Sequence, residues 1–203
     1  MEGKRDRVVV KQGIRLAIMK AILGAAAAIV AMMLMRLFGW SEITVAVCIG
    51  LVPGISEKSL RKALAGAVLG FVGYSVGARV GATLARSFSG VPLGHWAVVG
   101  AFIGLTAGMV RQPGQWFSFR FIVWWLGCVW GIVLGLVFGI MGDIGGFFTI
   151  PAYELPLFYY MREVSLICAG VFINLGVAVA SVLASVIDNA LSRVARSVER
   201  AEA

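Results

Sequence analysis

The chain has 203 residues, a net charge of +8 and a mean hydropathy of +0.93, with 60% hydrophobic and 14% charged residues. Soluble domains contain about 45–50% apolar and about 25% charged residues, so this composition excludes an ordinary soluble domain and a disordered chain. The three cysteines (Cys48, Cys128 and Cys168) and the one histidine (His95) form no disulfide, metal or redox pattern, so we expect no metal site and no cofactor. The basic residues lie between apolar runs, which indicates a polytopic protein of the lipid bilayer rather than a nucleic-acid-binding protein.

The predicted fold is all-α, with about six transmembrane helices after a basic cytoplasmic head at residues 1–15. Within a membrane domain at residues 16–186, the apolar segments are Leu16–Phe38, Ile43–Ile55, Leu60–Leu84, Trp96–Val110, Phe121–Met141 and Val164–Val186. At about 1.5 Å per residue, the second and fourth segments cover only about 20–23 Å of a hydrocarbon layer roughly 30 Å thick. These two segments are therefore half-helices, re-entrant segments, or spans where the bilayer is locally thinner.

Two further regions complete the predicted organisation. The apolar stretch at residues 142–160 is interrupted by glycines and by Pro151 and Pro156, which predicts an outer re-entrant or interfacial segment that opens with a turn at 142–146. All five prolines, including Pro53, are expected at helix ends or in loops. The tail at residues 187–203 is predicted to form a cytoplasmic amphipathic helix.

The distribution of basic residues selects a topology. If all six segments span and the N-terminus is cytoplasmic, 13 of the 18 Lys and Arg lie inside, 3 lie outside and 2 lie within helices. A re-entrant second segment would move Lys58, Arg61 and Lys62 outside and weaken this bias. Cytoplasmic loops of membrane proteins carry the excess of basic residues, so we expect six spans with both termini in the cytoplasm. We expect the protein to lie in the cell (inner) membrane.

Glycine recurs at helical spacing on three of the predicted helices. Lipid tails are as apolar as leucine, so membrane helices associate through small residues that let their backbones approach closely. We expect a glycine-zipper packing, either within one subunit or also against another. The residues predicted to pack are Gly66, Gly70, Gly73, Gly77, Gly81, Gly100, Gly104, Gly108, Gly127, Gly131, Gly135 and Gly139.

Few polar side chains lie inside the predicted spans. Arg79 either snorkels to the outer headgroups or binds an anion, because embedded charge is costly and is commonly functional. Lys20 is expected to snorkel towards the inner surface. Asn174 is predicted to make an interhelical hydrogen bond or to contact a ligand. The substrate-binding candidates are Arg79, Arg36, Trp124, Trp125 and Asn174. No HExxH, GxSxG or Walker motif is present, and we do not expect an enzyme.

Residues 12–75 resemble the membrane domain of the fusaric-acid-resistance and aromatic-acid-exporter family. An arginine-led first helix that ends near a tryptophan is followed by Thr-Val and a proline in the second helix, a basic turn, and a glycine-rich third helix. The matching positions are Arg15, Trp40, Thr44, Val45, Pro53, Arg61, Gly66 and Gly70. The resemblance implies six-helix membrane units that assemble as oligomers and export small organic anions.

Two functions are therefore expected from the sequence. The first is a small inner-membrane transporter or transporter subunit that moves organic anions such as aromatic carboxylates by efflux, as a homo-oligomer or with other membrane subunits. The second is a non-transporting subunit that scaffolds a larger membrane complex through its glycine-rich helix faces.

Overall fold

The computed structural model describes residues 2–87, 94–110, 119–148, 166–184, 186–187 and 190, and every regular element among them is helical. The α-helices are α1 (Glu2–Phe38), α2 (Ile43–Ser56), α3 (Leu60–Ser87), α4 (His95–Gly104), α5 (Phe119–Phe148) and α6 (Leu166–Ala184), and a 3₁₀ segment (Leu105–Val110) continues α4. The predicted all-α fold is thereby confirmed. Three stretches are long and apolar enough to cross a membrane: Gly13–Phe38, Leu60–Thr83 and Leu166–Ala184.

Two local expectations are wrong. Helix α5 continues through the glycines at 142–146 to Phe148, where a turn was predicted. In a membrane a helix keeps its backbone groups hydrogen-bonded even where glycine weakens its intrinsic preference. Pro53 lies inside α2 and not beyond its end. Residues 149–160 of the predicted interfacial segment and residues 191–203 of the predicted tail helix lie outside the described residues.

Pro53 explains a buried contact between α2 and α6. A proline has no N–H, so the carbonyl four residues earlier, on Ile49, loses its donor within the helix. The side-chain Nδ2 of Asn174 on α6 lies 3.5 Å from this oxygen, and it also donates to the Gly170 carbonyl at 3.0 Å. The amide of Asn174 therefore serves a backbone group that the proline leaves without a partner.

The hydrophobic core is formed mainly by α2, α4 and α6. These three helices contribute the fully buried Val45, Ala46, Ile49, Val99, Ile103, Ala169, Ile173 and Val177, and α1 adds Ala28 and Ala31. In contrast, α1, α3 and α5 expose large apolar side chains, among them Ile22, Val68, Phe71, Trp125 and Val137. The bundle thus has three inner helices and three peripheral ones with apolar outer faces.

Each inner helix meets one peripheral helix through a pair of facing glycines. The pairs are Gly50 with Gly66 (α2 and α3), Gly104 with Gly131 (α4 and α5), and Gly170 with Gly24 (α6 and α1); a second pair, Gly100 with Gly135, also joins α4 and α5. A Cβ on either member would overlap the other's carbonyl oxygen, so only glycine allows these backbones so close together. Similar sequences surround these positions, IGLVPG at 49–54 and IGLTAG at 103–108 on inner helices, and KAILG at 20–24 and KALAG at 62–66 on peripheral ones.

Most of the other predicted packing glycines also contact helices of the same chain. On α3, Gly70 meets α2, whereas Gly73, Gly77 and Gly81 meet α4; Gly100 on α4 meets Gly135 and Gly139 on α5. Gly108 is buried in the 3₁₀ segment, and Gly127 lies in α5 outside the residues whose side-chain surroundings are described. The described glycine faces of α3, α4 and α5 are therefore used inside one subunit.

Candidate functional site

The most unusual feature of the described chain is a buried cluster of three charged side chains, Lys20, Glu57 and Lys62, called here the lysine–glutamate cluster. The Nζ of Lys20 donates to Glu57 Oε1 at 2.6 Å, and the Nζ of Lys62 donates to Glu57 Oε2 at 2.6 Å. Lys20 is fully buried, Lys62 is 3% exposed and Glu57 is 21% exposed. One carboxylate thus holds two ammonium groups that water scarcely reaches.

The turn between α2 and α3 positions Glu57 and Lys62 against each other. Lys58 adopts a left-handed backbone conformation (φ 53°), and the Ser59 N–H donates to the Gly54 carbonyl at 2.9 Å, which closes the turn. The Ser59 hydroxyl then accepts a hydrogen bond from the Lys62 N–H at 3.3 Å and caps α3. Because Gly54 packs directly on the Ala63 backbone, α2 and α3 converge at this end and bury Lys62.

Lys20 reaches the same carboxylate from α1. It lies one turn before Gly24, and the close contact of Gly24 with Gly170 holds α1 against the inner helices. Lys20 and Lys62 therefore occupy matching positions in their local sequences, four residues before the facing glycine of a peripheral helix. The two matching helix segments thus place both ammonium groups beside Glu57, at the end of α2.

The cluster carries more positive than negative charge. Burial alone would raise the pKa of Glu57, but the charges of Lys20 and Lys62 and their hydrogen bonds outweigh burial and lower this pKa below its usual value. With both lysines protonated the net charge is +1. An ammonium group has three N–H donors, and among the described residues each lysine uses only one of them. In that protonation state the cluster has one charge and several N–H donors without a partner among the described residues, an arrangement that suits an anion.

A second polar group lies at the opposite end of α2. The Tyr74 hydroxyl donates to Glu42 Oε2 at 3.1 Å, and the Tyr74 ring meets the His95 ring edge-on with centroids 4.6 Å apart. His95 stacks on Trp96 with a centroid distance of 5.4 Å, and within the described structure its Nε2 is buried without a hydrogen-bond partner. Glu42 and Glu57 thus flank a helix about 21 Å long.

The residues predicted to bind substrate are not gathered in one place. Arg36 and Arg79 are exposed, and Trp125 is 56% exposed on α5. Asn174 is fully buried, with its Oδ1 lacking a partner among the described atoms. Trp124 belongs to α5, but its side chain lies outside the described residues.

The lysine–glutamate cluster was not predicted from the sequence. The expectation that Lys20 snorkels to the surface is wrong, because its side chain is fully buried against Glu57. The predicted topology counts Lys62 among the basic residues of the cytoplasmic side, and no sequence pattern singles out Glu57. One sequence signal was available: the two Lys-Ala-x-x-Gly strings, of which one lies inside an apolar run. The described residues contain no group of three or more His, Cys, Asp or Glu side chains that could hold a metal ion.

Comparison with family models, with curated proteins and with solved structures finds no match to this chain.

Proposed function

We propose that this chain is a six-span inner-membrane protein, with both termini in the cytoplasm, that transports small organic anions such as aromatic carboxylates. Two observations support a multi-pass topology: the three long apolar helices, and the exposed apolar side chains on the peripheral helices. The distribution of lysine and arginine supports the proposed orientation. In this orientation the lysine–glutamate cluster lies at the cytoplasmic end of α2.

The observation that carries the proposal is that, among the described residues, two buried lysines share one carboxylate. Removing an ion from water costs several kcal/mol unless another charge compensates it, and Glu57 compensates only one of the two lysines. A carboxylate entering from the cytoplasmic side would accept hydrogen bonds from Lys20 and Lys62 and neutralise the remaining charge. Its apolar body would lie against the apolar side chains that surround the inner helices. The outer candidates Arg36 and Arg79 would then act, in this proposal, on the anion as it leaves.

Anion flux across a lipid bilayer tests the proposal. The purified protein is reconstituted into liposomes, and efflux of radiolabelled benzoate is compared with that from protein-free liposomes. We expect a protein-dependent flux that falls at least about tenfold in Lys20→Met and Lys62→Met, because each variant removes the excess charge. Arg61→Met is the matched control, since Arg61 adjoins Lys62 but is exposed. Equal flux in all four proteins would refute a role for the cluster, and no flux in any of them would refute benzoate transport.

The scaffold function is the second candidate. It would have to use surfaces other than the glycine faces of α3, α4 and α5, because the described glycines there pack within the same chain. The exposed apolar side chains of the peripheral helices offer such a surface. Native mass spectrometry of the tagged protein from its own membranes separates the two functions. Foreign subunits in fixed stoichiometry would favour the scaffold, and a homo-oligomer without other chains would favour transport.

A further inference from the structure

We infer that Glu57 sets the charge of the anion that the lysine–glutamate cluster accepts, so that the wild-type site selects monoanions over dianions. This inference rests on the proposed function for the class of ligand, an organic carboxylate. It is testable by binding alone, without transport.

The net charge of the cluster follows from its three side chains. Two ammonium groups and one carboxylate give +1; the two lysines are nearly or fully removed from water, and Glu57 is 21% exposed. A monoanion brings the site to zero, whereas a dianion leaves a buried charge of −1. Uncompensated buried charge is strongly unfavourable, so the neutral combination binds best.

In this inference the anion binds beside Glu57 without displacing it, after the helices around the cluster have separated, because Lys20 is fully buried and Lys62 is only 3% exposed in the structure. Each oxygen of Glu57 accepts one ammonium hydrogen bond at 2.6 Å, so the carboxylate bridges the two lysines. Both Nζ groups retain N–H donors that have no acceptor among the described residues, and these can point to a second carboxylate. The partial exposure of Glu57 marks the side from which a ligand reaches them.

Replacing Glu57 by glutamine changes the expected selectivity. Glutamine has nearly the same shape, but the variant site carries +2, which a dianion neutralises and a monoanion does not. The residue thus acts as a determinant of specificity through its charge. Glu42 at the other end of α2 provides a matched control, because Glu42→Gln removes the same charge without changing the cluster.

The experiment compares benzoate with phthalate, which share a ring but carry one and two carboxylates at pH 7. Dissociation constants are measured by isothermal titration calorimetry on the detergent-purified protein. We expect the wild type and Glu42→Gln to prefer benzoate. In Glu57→Gln we expect the ratio of the two constants to shift towards phthalate by at least about tenfold, which corresponds to about 1.4 kcal/mol of differential interaction.

Two further variants keep the inference falsifiable if Glu57→Gln does not fold. Glu57→Asp retains the charge and should still prefer benzoate, and Lys20→Met has a neutral site and should bind neither anion. An unchanged ratio in Glu57→Gln, or undiminished benzoate binding in Lys20→Met, would overturn the inference. Benzoate binding with the expected switch but without liposome flux would refute only transport. Flux without the switch would refute only the role of Glu57.

Discussion

Replacing Glu57 by glutamine is expected to destabilise the protein far more than replacing an exposed charge. In the wild type one carboxylate compensates two buried ammonium groups, each at 2.6 Å. In the variant both lysines stay buried, and they lose the only anionic partner that they have among the described residues. The energetic loss is therefore the desolvation of two cations, which the neutral amide compensates only in part.

The expected magnitude follows from the burial of the partners. Removing one member of a buried ion pair costs about 3–5 kcal/mol, because the remaining charge is left without compensation. Lys20→Met should cost less than Glu57→Gln, since it leaves Lys62 and Glu57 as a balanced pair. Arg61→Gln, at an exposed position of the same helix, should stay within about 0.5 kcal/mol of the wild type.

The free energies of unfolding can be measured in mixed detergent micelles at pH 7, with SDS as the denaturant and tryptophan fluorescence as the signal. The triple variant Lys20→Met/Glu57→Met/Lys62→Met provides a second comparison. Replacing a complete buried ion cluster by apolar residues is often neutral or stabilising by about 1–4 kcal/mol. The reasoning would be refuted if Glu57→Gln were as stable as Arg61→Gln, or if the triple variant were less stable than Glu57→Gln.

Three other expectations concern pH, packing and the outer arginine. The folded-state pKa of Glu57 is lowered, so the ionised carboxylate contributes its full share to the free energy of unfolding above the unfolded-state pKa of about 4.3. This contribution is lost as the pH falls through the lower folded-state pKa. In unfolding titrations at a series of pH values, Glu57→Gln should therefore lose less stability in acid than the wild type does. Gly66→Ala, whose Cβ would overlap a backbone carbonyl, should lower the free energy of unfolding by about 1–3 kcal/mol. Gly81→Ala, whose Cβ would meet His95 at an ordinary 3.4 Å, should not destabilise. Arg79→Ala should reduce benzoate flux less than Lys20→Met, because Arg79 is exposed. An equal reduction would indicate that the transport path runs along the exposed face of α3.

The positions of the helices follow closely from the apolar segments of the sequence. The predicted segment Ile43–Ile55 differs from α2 by one residue, and the predicted start of α3 at Leu60 is correct. Hydropathy predicts these helix boundaries well because short polar or glycine-containing connections separate the apolar runs. It fails at α5, where composition at 142–146 suggested a turn although the helix continues to Phe148.

The buried cluster was harder to predict because it depends on contacts between distant parts of the chain. Lys20 and Glu57 are 37 residues apart, and no local pattern states that α1 packs beside the end of α2. A lysine near the start of an apolar run most simply extends to the membrane surface. Lys20 is buried because Gly24, one turn further along α1, packs against Gly170 of α6 and brings α1 close to the inner helices.

Asn174 and the lysine–glutamate cluster differ in what the fold itself requires. Pro53 leaves the Ile49 carbonyl without its helical donor, and Asn174 supplies one, so the backbone accounts for that amide. The lysine–glutamate cluster has no such explanation for its second ammonium group, because one lysine would already neutralise Glu57. Lys20 lies about 10 Å along the apolar stretch that begins at Gly13, where a charged residue is costly to insert. The anion that we propose would use this extra charge and would give both buried lysines a physical reason to be present.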